Sequence, residues 1–160
     1  MRFTPKHIIF ATPLIAGLSI LNTNVHAAAC ASSISTLNNA SCTMPLTGSV
    51  TITGTGSIVD PNNDAGDISL STNSVGLNLG GITVNYGGLL RYSGSTGTSG
   101  GINFVYGPSG APSSPNRLGD ITINGAINST QRGIILNGFT ANKIAIGSTG
   151  TLTAAGLGFF

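Results

Sequence analysis

The chain of 160 residues contains two cysteines, Cys30 and Cys42, which enclose a short loop. In an oxidising compartment two such cysteines form a disulfide. We expect this disulfide to fasten the N-terminal end of the fold and to contribute roughly 3 kcal/mol on the chain-entropy model. The alternative is lipidation of Cys30 after cleavage at Ala29, although the preceding residues are all alanine and lack the leucine that is usual at a lipoprotein site.

The densest set of oxygen ligands lies between Asp60 and Asp67, where Asp, Asn and Asp alternate as in a calcium loop. Ala65 stands where that loop requires glycine, and Ser71 stands where a glutamate would close the site. Asp and Asn also cap their own backbone in ordinary turns. We therefore predict a turn and no metal site here, and calcium binding is the alternative.

Residues that are missing from the chain limit the enzymatic alternatives. Both histidines, His7 and His26, lie in an N-terminal segment that we expect to be removed. Without histidine, Ser-His-Asp and Cys-His machinery has no base near neutral pH, and a zinc site has too few ligands. Some β-helices cleave acidic polysaccharides with Asp, Lys and Arg around calcium, and the candidates for that chemistry are Asp60, Asp64, Asp67 and Arg91. We predict no enzyme activity and no cofactor.

The N-terminal segment has the three parts of a secretory signal peptide. Arg2 and Lys6 precede an apolar run from Ile8 to Leu21, and small residues follow. The run is shorter than the roughly 20 residues that span a bilayer, so no membrane helix is expected. Cleavage fits after Ala27 and equally after Ala29. We predict a signal peptide over residues 1–29, an N-terminal cap over 30–48 and repeats over 49–160.

The mature part has about 131 residues, which is enough for one domain. Its four aspartates are balanced by three arginines and one lysine, so it lacks the basic clusters that nucleic acids require. Glycine, serine, threonine and asparagine dominate and alternate with isoleucine, valine and leucine. This composition favours short strands and glycine-rich turns, and we predict an all-β fold.

An internal repeat organises the chain. The segment Gly80-Gly81-Ile82-Thr83-Val84-Asn85-Tyr86-Gly87 returns as Gly100-Gly101-Ile102-Asn103-Phe104-Val105-Tyr106-Gly107, and weaker copies begin at Gly66 and Gly119. Each copy alternates apolar and polar residues, as half-buried strands do. Further strands are predicted over residues 49–53, 75–79, 134–136, 143–146 and 151–153.

Strands that repeat in this way bury their apolar faces when successive copies stack in a parallel coil. We predict a right-handed parallel β-solenoid of about six irregular rungs, with Ile82 over Ile102 and Tyr86 over Tyr106. The tyrosines share the parity of the isoleucines and are predicted to lie in or near the core. The proline-rich stretch from Pro108 to Asn116 is predicted to be a loop between two rungs.

The signal peptide and the irregular repeats rich in Thr, Asn and Gly resemble the N-terminal part of an autotransporter passenger or a filamentous-adhesin β-helix. Members of that family carry a C-terminal translocator barrel, whereas this sequence runs to Phe160 without one. The resemblance implies an exported β-helix at the cell surface, with either a truncated passenger or a short standalone relative as the source.

The function predicted on these grounds is a structural or adhesive module, secreted through the inner membrane and located at the cell surface, outside the cell or with the outer membrane. Host glycans, matrix or sister chains are its expected partners, and the apolar end at Leu157 to Phe160 is expected to self-associate. The alternative is a small outer-membrane β-barrel, suggested by alternating strands and a terminal aromatic residue.

Overall fold

The computed structural model describes residues 28–60, 66–94 and 99–155. Most of the predicted signal peptide, up to residue 27, lies outside these ranges. No helix in them has the length and hydropathy needed to cross a membrane. In chain order the strands are β1 (Ser33–Ile34), β2 (Leu37–Asn38), β3 (Cys42–Thr43), β4 (Val50–Ile52), β5 (Ser57–Asp60), β6 (Ile68–Thr72), β7 (Asn78–Leu79), β8 (Ile82–Val84), β9 (Leu89–Tyr92), β10 (Gly100–Tyr106), β11 (Asn116–Leu118), β12 (Ile121–Ile123), β13 (Ala126–Ser129), β14 (Arg132–Asn137), β15 (Phe139–Ala141), β16 (Ile144–Ile146) and β17 (Thr151–Ala154).

These strands form four sheets in which all pairs are parallel. Sheet I is β1-β4-β8-β12-β16, sheet II is β2-β5-β9-β13-β17, sheet III is β3-β6-β10-β14 and sheet IV is β7-β11-β15. In each complete turn the chain passes through sheets I, II and III, and from the second turn on also through sheet IV, before it returns to sheet I one rung higher. The predicted parallel β-solenoid is therefore confirmed, and the two five-stranded sheets give it five rungs in the described part.

The predicted stacking of the repeat is wrong. Ile82 pairs with Val50 and Ile121 in sheet I, whereas Ile102 pairs with Ile68 and Ile134 in sheet III. The two strong copies of the motif thus lie in one turn, on different sheets. Each copy stacks on a weaker one: the copy that starts at residue 80 lies against the copy that starts at 119, and the copy at 100 lies against the copy at 66. A turn holds up to four strands, so the spacing of the motif is shorter than one turn.

The core consists of inward-facing side chains stacked in rows along the coil. In sheet I, Val50, Ile82 and Ile121 occupy equivalent positions and are fully buried. Equivalent apolar rows come from sheets II and III. A fully buried side chain of this size contributes roughly 1.5–3 kcal/mol, so the rows are the main stabilising feature of a fold that carries few charges.

The corner between sheets I and II has the same form in three turns. The backbone N–H of Gly56 donates to the Thr53 carbonyl at 2.7 Å, and Gly88 and Gly150 make the same bond to the residue three positions earlier. A Cβ atom on Gly56 would lie 2.0 Å from the Ile34 carbonyl oxygen of the rung below. Glycine at this position therefore lets successive rungs approach closely.

The predicted tyrosine positions are only partly right. Tyr92 is buried on sheet II, and Tyr106 is half-buried at the end of β10. Tyr86, in contrast, is 76 % exposed. The strand β8 ends at Val84, and Tyr86 stands in the turn that follows, so the alternation that would have directed it inward no longer applies.

Candidate functional site

The outward face of sheet I is a regular polar surface of the coil. Since β-strand side chains alternate, the residue between two buried apolar positions points to solvent. The register aligns these central residues in one row, which we call the threonine row: Ser33, Thr51, Thr83, Thr122 and Ala145. Its three threonines are half-buried by one another and by their neighbours.

The C-terminal ends of the same strands add a second polar row. These residues are Thr53, Asn85 and Asn124, and their backbones extend the ladder. The Asn85 backbone N–H donates to the Ile52 carbonyl at 2.9 Å, and the Asn124 backbone N–H donates to the Val84 carbonyl at 2.7 Å. Their side chains are half-buried. The Thr149 hydroxyl donates to the Asn124 carbonyl at 2.7 Å and fastens the next corner to this row.

The spacing of this surface follows from the geometry of the sheet. Neighbouring residues within a row are about 4.8 Å apart along the coil, and the two rows are separated by about 6.6 Å, the rise of two strand residues. Hydroxyl and amide groups both donate and accept hydrogen bonds. The surface is therefore a lattice of neutral hydrogen-bonding groups on a rigid sheet.

An aromatic side chain borders this lattice. Tyr86 directly follows Asn85 and is the most exposed large apolar side chain in the described part. A tyrosine ring offers an apolar face to a ligand and a hydroxyl at its edge. Among the described residues of this face, charges lie at the opposite margin, where Asp120 accepts a hydrogen bond from the Asn142 side-chain amide and lies next to Lys143 in the ladder.

The predicted disulfide between Cys30 and Cys42 is present, with an S–S distance of 2.09 Å and both residues buried. It joins the strand β3 to the preceding residues at the N-terminal end of the coil. The predicted cap over residues 30–48 therefore contains the first rung, because β1, β2 and β3 pair with β4, β5 and β6. The role of the disulfide there is structural.

Of the aspartates considered for calcium or polysaccharide chemistry, only Asp67 lies fully within the described residues. Asp64 and the Asp60 side chain lie outside the described residues. Asp67 is fully buried at the start of β6, whereas Arg91 is exposed on the outward face of sheet II. Asp67 and Arg91 therefore do not share an accessible surface. Among the described residues, no three Asp, Glu, His or Cys side chains are grouped so as to hold a metal ion.

The threonine row was not identified from the sequence, although a signal for it exists. The tripeptides Val50-Thr51-Ile52, Ile82-Thr83-Val84 and Ile121-Thr122-Ile123 share one pattern, apolar-Thr-apolar. Their irregular spacing hides the alignment, because the loops between them differ in length.

Comparison with known proteins found no matching family model and no significantly similar curated protein or solved structure.

Proposed function

We propose that this protein is an exported structural or adhesive module that acts at the cell surface or outside the cell and binds partners through the outward face of sheet I. The observation that carries the proposal is the neutral lattice formed by the threonine row and the adjacent Thr53, Asn85 and Asn124, bordered by the exposed ring of Tyr86. The autotransporter-like composition of the chain supports the same location.

The chemistry of this face favours host glycans as the ligand class. Sugars present closely spaced hydroxyl groups and apolar ring faces, which match Thr and Asn side chains and an aromatic ring. The face lacks the clustered basic groups that acidic glycans or nucleic acids would select. We therefore propose neutral oligosaccharides, bound weakly at each position and repeatedly along the coil.

A glycan array of neutral and acidic oligosaccharides, probed with the labelled protein, tests this function. We expect binding to neutral glycans, weakened about three- to tenfold by Thr83→Val and by Tyr86→Ala, because each removes one contact group. Asn128→Ala is the matched control, since Asn128 is exposed on sheet II. Binding that all three variants retain, or the absence of binding to any glycan, would contradict the proposal.

Sister chains are the second proposed partner. In the described part, β16 and β17 are the last strands of sheets I and II. Ile144 and Ile146 continue the buried rows of sheet I but are 37 % and 47 % exposed. Among the described residues no strand pairs with the outer edges of β16 and β17, and the predicted apolar end at Leu157 to Phe160 lies outside them. A strand edge beside exposed core residues is a template for pairing with another strand, so we propose that this end associates with a second copy.

A further inference from the structure

Two peptide bonds fit removal of the signal peptide, and the sequence does not choose between them. Cleavage after Ala27 places Val25 and Ala27 at the positions that require small residues, and cleavage after Ala29 places Ala27 and Ala29 there. The two products differ by Ala28 and Ala29. The structure describes both of these residues, so their contacts distinguish the two bonds.

Residues 28–30 form the outermost segment of sheet III. The Thr43 backbone N–H donates to the Ala28 carbonyl at 2.8 Å, and the Cys30 N–H donates to the Thr43 carbonyl at 2.8 Å. Ala29 forms a parallel bridge with Thr43. These bonds place the segment along the edge of β3 that faces away from β6, and the Cys30–Cys42 disulfide holds it there.

Cleavage after Ala29 would break this arrangement. It would remove the Ala28 carbonyl that accepts from Thr43, and it would turn the Cys30 amide into a charged terminal amine beside a buried side chain. The first rung would thereby lose its outermost backbone pairing, the hydrogen bond to Ala28 and the bridge between Ala29 and Thr43. Cleavage after Ala27 retains both hydrogen bonds, the bridge and the disulfide.

We propose that the processing site is the Ala27–Ala28 bond and that the mature protein begins at Ala28. This inference rests on the proposed export of the chain. A signal peptidase would add water across the bond, so that Ala27 acquires the carboxylate and Ala28 the free amine. The new amine of Ala28 then lies directly before the Ala28 carbonyl, which accepts the first of the two hydrogen bonds. The Cys30 sulfur is retained for the disulfide and is not available for a lipid thioether.

The test is expression of the full chain in a bacterial host that exports it, followed by N-terminal sequencing and intact mass measurement. A product that begins at Ala28, with no free thiol, supports the proposal. A product that begins at Cys30 or elsewhere after export overturns the site but leaves the exported function standing. A product that still begins at Met1 overturns both the site and the proposed export.

Two substitutions separate the bonds further. Val25→Arg places a large charged residue three positions before the proposed bond and leaves both small-residue positions of the competing bond intact, and we expect at least about tenfold less product that begins at Ala28. Ala29→Leu is the matched control, since Ala29 is exposed and its side chain would disturb only the competing bond. Normal processing of Val25→Arg together with blocked processing of Ala29→Leu would overturn the assignment.

Discussion

The side-chain oxygen of Asn116 accepts a hydrogen bond from the Leu77 backbone N–H at 3.0 Å. The same amide donates to the Ser74 carbonyl at 3.0 Å, and Asn116 is fully buried. The Asn116 side chain, which belongs to the neighbouring rung, therefore holds the loop that precedes β7 in place. The loop predicted from Pro108 to Asn116 is irregular up to residue 115, whereas Asn116 is the first residue of β11.

Replacing Asn116 with alanine is expected to lower the free energy of unfolding by about 2 kcal/mol, because two backbone groups lose their partner in a buried position. Chemical denaturation followed by circular dichroism measures this change. The control is Asn78→Ala, at an exposed position of sheet IV, which should change stability by less than about 0.5 kcal/mol. Equal effects of the two substitutions would contradict the bridging role of Asn116.

Tyr92 is expected to tolerate loss of its hydroxyl. The ring is buried at 1 % exposure, and the hydroxyl oxygen has no hydrogen-bond partner in the described part of the chain. Tyr92→Phe should therefore leave the melting temperature unchanged or raise it, since a buried polar group without a partner is unfavourable. Tyr92→Ala should lower stability by about 3–5 kcal/mol through the cavity it leaves. A large loss in the phenylalanine variant would show that the hydroxyl does make a stabilising bond.

Removing the disulfide is expected to loosen the N-terminal rung. The double substitution of Cys30 and Cys42 by serine should lower the free energy of unfolding by roughly 3 kcal/mol. On the chain-entropy model the cause is the greater conformational entropy of an unfolded chain without the cross-link. Thermal unfolding of the wild-type protein with and without a reducing agent provides the comparison. The double variant should not respond to the reducing agent, and a response there would assign the effect to something other than this bond.

Self-association is expected to depend on β16, the last strand of sheet I in the described part of the chain. Ile146→Lys places a charge on the exposed end of the apolar row and should shift sedimentation toward the monomer at every protein concentration. Tyr86→Lys adds the same charge on the flank of the coil and serves as the control. A wild-type protein that sediments as a clean monomer at high concentration would rule out association through this end.

Several features of the fold could be predicted from local pattern alone. Alternation around Ile82 and Ile121 predicted strands with one buried face, and their burial patterns confirm it. Ile102 is fully buried as predicted, but its strand is buried on both faces there, because Asn103 is buried as well. The cysteine pair predicted the disulfide, and the prolines after Tyr106 predicted the loop. These predictions succeeded because each depends on a few neighbouring residues and on the alternation of side chains along a strand.

Other features could not be predicted in this way. Eight strands were missed: β1, β2, β3, β5, β9, β11, β13 and β15. Among them, β9 and β13 show weak alternation and are held by pairing with each other. The exposure of Tyr86 depends on where β8 ends, which is set by the corner bonds to the rung below.

The amino-acid sequence by itself determined that this protein is built from short, half-buried strands joined by glycine-rich corners, because that property belongs to neighbouring residues. Only the tertiary structure decided which strands stack, since loops of unequal length remove any constant period from the chain. That stacking aligned Thr51, Thr83 and Thr122 into one surface. It also placed Ala28 beside Thr43 at the N-terminal end of the coil.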